Sequence, residues 1–110
     1  MNSKALGSVN LDSEGYLVDP EDWTEAVAVD FAEREGIELT SDHWRVIRFM
    51  REWLDEHGVT ADARHVMKFL APNGDRDTGR ALLFQLFPFG YVKQACRIAG
   101  MKRPRAWSTG

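Results

Sequence analysis

Cysteine is almost absent from this chain: among its 110 residues only Cys96 carries a thiol. One cysteine excludes an internal disulfide and any thiolate cage around a metal ion. It leaves Cys96 as a small buried thiol, a lone nucleophile, a sulfur carrier, or half of an intermolecular bond. Long apolar runs are missing as well. A membrane-spanning helix needs about 20 consecutive apolar residues, and no such run occurs here. Residues 1–11 also lack the apolar stretch of a secretory signal. These absences predict a cytoplasmic protein without a membrane partner.

The short motifs that carry common chemistries are equally scarce. There is no glycine-rich phosphate loop, no GxSxG elbow and no His-Glu-x-x-His helix. His43, His57 and His65 do not stand at metal-ligand spacing. His57 falls at the end of a predicted helix, where a cation suits the dipole, and is read as a cap. Most carboxylates fall on the polar faces of the first two predicted helices. A hydrolase or nucleotide enzyme is therefore not expected, nor is a metal or cofactor.

What is present is an ordinary globular composition, 44% hydrophobic and 28% charged, at a length typical of one domain with one core. The net charge of −3 conceals an asymmetry. Residues 1–60 hold 14 acids and 5 bases, whereas residues 61–110 hold 3 acids and 9 bases. The basic half suits an anionic partner; alternatively the two halves neutralise each other within the fold.

The pattern reads as a mainly α bundle of about five helices, with an N-terminal β-hairpin and a flexible C-terminal arm. Residues 1–8 form a frayed start, and residues 9–18 alternate around a Gly15 turn as a hairpin. Asp19-Pro20 opens a first helix that ends at Gly36. Thr40 or Ser41 caps a second helix, which carries Trp44, Ile47, Met50 or Arg51, and Leu54 on its inner stripe and stops at Gly58. A third helix runs from about residue 61 to 70. After a loop, Thr78 or Asp77 caps a fourth, which Pro88-Phe89-Gly90 breaks. A fifth runs from residue 91 to 99, and residues 101–110 form the arm.

Two constellations stand out. The fourth and fifth helices have the outline of a helix-turn-helix, which makes DNA a candidate partner, with Gln94 alone suited to reading base edges. Cys96 falls on the apolar stripe with Val92, Ala95 and Ala99, which points to burial. Lys93 and Arg97 flank it and would favour a thiolate if its sulfur reached solvent. Aromatics at helical spacing read as core; Trp107, in the arm, has no such place.

Several of these residues carry a resemblance. Asp12-Ser13-Glu14-Gly15-Tyr16-Leu17, Pro20-Glu21-Asp22-Trp23, residues 35–40, His43-Trp44, Leu86-Phe87-Pro88, residues 93–100 and Pro104 resemble the DsrC/TusE/DsvC family of small sulfur-relay proteins. The resemblance implies a helical bundle with a hairpin and an arm that ends in a cysteine carrying persulfide sulfur. In some members a second cysteine, on the last helix, pairs with it. Cys96 matches the helix cysteine and is the candidate sulfur-binding thiol, whereas Trp107 stands where the arm cysteine is expected. Phe89 and Tyr91 depart from the family beside the helix break and bring bulk near the base of the arm. Arg64 and Lys68 match basic positions of the family. With Lys93, Arg97, Lys102, Arg103 and Arg105 they form the candidate surface for an anion or a partner. The resemblance implies sulfur-relay or sulfite-reductase-type partners. The leading expectation is a partner-binding or regulatory member without relay chemistry. The alternatives are a single-cysteine persulfide carrier using Cys96 and a DNA-binding regulator; the oligomeric state is left open.

Overall fold

The computed structural model describes residues 7–102; residues 1–6 and 103–110 lie outside the described part. The start expected to fray falls largely there, as do Arg103, Arg105 and Trp107 of the expected arm. The described chain is mainly helical, as the sequence pattern predicts.

The expected hairpin shrinks to one antiparallel bridge, Leu11 to Leu17, and the described residues contain no strand. Asp12 closes the turn: its Oδ1 accepts from the amides of Glu14 and Tyr16, both at 2.9 Å. Tyr16 and Leu17 are then buried side by side. Consecutive residues of a strand point to opposite faces, so two adjacent buried side chains end the alternation that a longer ladder requires.

Asp19-Pro20 does not open the first helix. It opens a separate 3₁₀ turn, Pro20–Asp22, after which Trp23 is extended, with φ −69° and ψ 138°. The turn aims the Trp23 indole N–H at the Ile98 carbonyl, 2.9 Å away. Helix α1 (Glu25–Glu35) starts afresh with Thr24 as its cap and ends at Gly36 in the left-handed region. Helix α2 (Ser41–His57) has Thr40 as cap and stops at Gly58. The Thr40 hydroxyl accepts the His43 amide, and His43 Nδ1 accepts the Thr40 amide at 3.0 Å. The proton on the other ring nitrogen then goes to the Leu86 carbonyl, 2.7 Å away, which joins the start of α2 to the end of the fourth helix.

Helix α3 (Ala63–Leu70) is capped by Asp62 and α4 (Arg76–Leu86) by Asp75. The cap of α4 lies earlier than the expected Thr78 or Asp77; Thr78 instead donates both its amide and its hydroxyl to Asp75 Oδ1. Helices α3 and α4 meet at Gly79, where a Cβ would stand 2.4 Å from the Met67 carbonyl oxygen. Only glycine permits that approach.

The expected fifth α-helix is mostly π-helical. Residues Tyr91–Ala95 form a π turn, with the Cys96 amide bonded to the Tyr91 carbonyl, and α5 (Cys96–Ile98) completes it. The wider turn places Tyr91, Gln94, Ala95 and Cys96 together on the buried side. They pack into a core with Val46, Ile47, Met50, Leu83 and Phe87. Met101, expected from sequence to begin the arm, is a fully buried member of the same core.

Candidate functional site

Cys96 sits at the joint between the π turn and α5, free of any disulfide and fully buried. The Tyr91 hydroxyl lies against it and donates its own proton to the Ala61 carbonyl. Burial pushes the thiol up to about 12, opposed only by the Tyr91 hydrogen bond. Burial likewise raises Tyr91 well above the ordinary phenol range, helped by Cys96 and Asp62.

The cations expected to activate Cys96 do not reach it. Lys93 is exposed. Arg97 is drawn away toward the N-terminal turn, where Nη2 donates to the Glu14 carbonyl at 2.7 Å and the guanidinium lies 5.0 Å from the centre of the Tyr16 ring. A thiol that is buried, protonated and hydrogen-bonded is a poor nucleophile in this conformation.

Immediately beyond Cys96 the chain is clamped. The last carbonyls of a helix need outside donors, and here two side chains supply them. The Trp23 indole donates to Ile98, and Arg51 donates to Ala99 at 3.1 Å and to Pro20 at 2.9 Å. The Arg51 guanidinium also lies 4.6 Å from the centre of the Trp23 ring. Desolvation lowers the Arg51 pKa, with Asp55 opposing. Gly100, at φ +75°, then packs on Trp23 so closely that a Cβ would come within 2.5 Å of Cδ1. Met101 donates its amide to the Cys96 carbonyl at 2.8 Å, and Lys102 accepts from the Thr60 hydroxyl at 3.2 Å. The helical pattern of the sequence offers Met50 or Arg51 for the inner stripe; Met50 takes the core place, and nothing in the pattern indicates that Arg51 caps another helix.

Gln94 corrects a second expectation. It is 1% exposed, and both ends of its amide are used inside the fold. Oε1 accepts from the Phe89 amide and Nε2 donates to Glu35, each at 2.9 Å. The residue singled out for reading base edges is therefore withdrawn from the surface, and the helix that would carry it is a π turn followed by three α-helical residues. Phe89 and Tyr91 also part company. Phe89 is 69% exposed on the turn, whereas Tyr91 is enclosed against Ala61.

The candidate surface cations are distributed over the body. Arg64 and Lys68 share a face of α3, one turn apart, and line a cleft with Arg76. Lys102 lines a different cleft with Pro20, Leu54 and Val59, and Arg97 another with Leu11, Gly15 and Arg34. Arg103 and Arg105 lie outside the described residues.

Comparison with known proteins decides what this body is. Residues 5–106 match the model of the family described as DsrC like protein. The chain belongs to that family. The DsrC-like body is 42% identical over 97 residues to the sulfurtransferase TusE of Salmonella typhimurium, covering 87% of this chain and 89% of that one. It is 40% identical to TusE of Yersinia pestis, with the same coverage. Among solved structures it is similar to the oxidized gamma-subunit of the dissimilatory sulfite reductase (DsrC) from Archaeoglobus fulgidus. That match has a TM-score of 0.78 at 36% identity and covers 90% of this chain and 91% of that one. DsrC of Allochromatium vinosum matches with a TM-score of 0.77 at 36% identity, covering 90% and 89%. Within the DsrC-like body, the clamp of Trp23, Arg51 and Gly100 holds the residues that directly follow the buried Cys96. No described helix is long and apolar enough to cross a membrane.

Proposed function

We propose that this DsrC-like chain is a partner-binding or regulatory protein of sulfur metabolism and does not itself carry persulfide sulfur. The observation that carries the reading is the state of its one thiol. Cys96 is enclosed, and burial holds it protonated up to about pH 12. Thiol chemistry with a sulfur donor requires an accessible thiolate. Trp107, at the position where the resemblance places the arm cysteine, offers no second sulfur. The body is similar to TusE sulfurtransferases and to sulfite reductase gamma-subunits, which favours relay or sulfite-reductase-type proteins as the partners it engages.

The test is to incubate the folded protein with a persulfide donor and record its intact mass without denaturant. The expected spectrum is unchanged. A stable gain of one sulfur atom at Cys96 would overturn the proposal and make the chain a single-cysteine carrier.

A further inference from the structure

We propose that the cleft between α3 and the start of α4 binds a tetrahedral oxyanion of the phosphate or sulfate type through Arg64, Lys68 and Arg76. The cleft encloses about 280 Å³. Arg64 and Lys68 reach it from one face of α3, and Arg76, the first residue of α4, from the other side. Met67 and Pro72 form an apolar part of its lining. Three cations on the lining of one cleft add their fields there and raise the local concentration of anions.

The carboxylate in the lining, Asp75, is already engaged. Its Oδ1 accepts from the Thr78 amide at 2.8 Å and the Thr78 hydroxyl at 2.9 Å, and those bonds lower its pKa. It is thereby committed to capping α4. Arg64 also meets Asp62 Oδ2 at 3.2 Å through Nη2, with its own side chain 79% exposed. The Asp62 carboxylate is 13% exposed and also caps α3 through the His65 amide, so Arg64 brings to the cleft the face of its guanidinium that Asp62 leaves open. The lining retains three positive side chains against one negative group.

The two walls are held together by packing close to the cleft. Gly79 brings α4 against the Met67 carbonyl, so the spacing between Arg76 and the α3 pair is set before any ligand arrives. Preformed spacing reduces the ordering cost of binding. Guanidinium groups present paired N–H donors matched to two oxygens of such an anion, and the ammonium supplies a point charge. The site makes no use of Cys96, so it stands or falls independently of the function proposed above.

Nitrogen-15 amide NMR at low ionic strength tests this on the full chain. The probes are sodium phosphate, sodium thiosulfate and adenosine 5′-monophosphate, each against sodium chloride at matched ionic strength. Saturable shifts centred on residues 64, 68 and 74–76 are expected. Arg76→Gln should weaken binding about fivefold to tenfold, and Lys102→Gln should leave it unchanged. Saturation by the inorganic anions identifies a free oxyanion as the ligand. Saturation by the nucleotide alone identifies a phosphate group borne by a larger molecule. Shifts spread over Lys93 and Lys102 as well, matched by chloride, or unchanged affinity in Arg76→Gln, would overturn the site.

Discussion

Replacing Gly100 by alanine measures how firmly the last turn of the core is seated. Two costs apply. Gly100 has φ +75°, and a left-handed conformation costs an L residue about 1–2 kcal/mol. The new Cβ would also stand 2.5 Å from Trp23 Cδ1 and 2.8 Å from its Cβ and Cγ. That indole cannot easily retreat, because its N–H is bonded to Ile98 and Arg51 covers its face. Overpacking of this kind costs about 1–3 kcal/mol, for a total of about 2–5 kcal/mol. Gly36 supplies the reference, with φ +72° and nothing within 4 Å of where its Cβ would stand. Gly36→Ala should therefore show only the conformational cost, about 1–2 kcal/mol. Urea unfolding measures both, provided the slope is unchanged. In a Trp23→Gly background, which removes the Cβ as well as the ring, the steric part should vanish, giving a coupling of about 1–3 kcal/mol. Equal costs at the two glycines, or no coupling to Trp23, would refute the reasoning.

Alkaline stability should report the buried thiol. Unfolded cysteine loses its proton near pH 8.5–9, while native Cys96 holds it up to about 12. The native state therefore binds more protons in that window, and stability falls as pH rises through it, by about 1.4 kcal/mol per unit. Tyr91, also raised, steepens the fall above about pH 10. Urea melts of Cys96→Ala should show a shallower slope between about pH 9 and 11; identical slopes would contradict the burial argument. Gln94→Leu should cost about 1–3 kcal/mol, because the Phe89 amide and Glu35 lose their buried partner. A thermal melt within about 1 °C of the parent's would show that this amide does not join the break to α1.

Helix α2 is legible in the sequence almost to the residue because its cap, period and stop act within one short segment. Thr40, the apolar stripe and Gly58 are local features that agree with one another. The start of α1 misleads for a reason equally physical. Asp19-Pro20-Glu21-Asp22 is a valid helix opening, but the bond from Trp23 to Ile98 spans 75 residues and redirects the chain there. The π turn is hidden similarly, since Tyr91, Gln94 and Cys96 are drawn inward by Ala61, Glu35 and the core. Cys96 itself is legible as a member of an apolar stripe. Its protonated state is not, because its sequence neighbours suggest cations that the fold sends elsewhere. Arg76 gives no signal of its own, since its two companions in the cleft come from the preceding helix, across a loop.

The hydrogen bond from the Phe89 amide to Gln94 has a consequence for variation. What the core holds at position 89 is a backbone N–H, while the side chain, 69% exposed, faces solvent. Any residue except proline can supply that N–H. Position 89 is thus a place where the chain can drift freely, or where a fluorophore or cross-linker can be mounted on a fixed backbone, with its direction set from inside the protein.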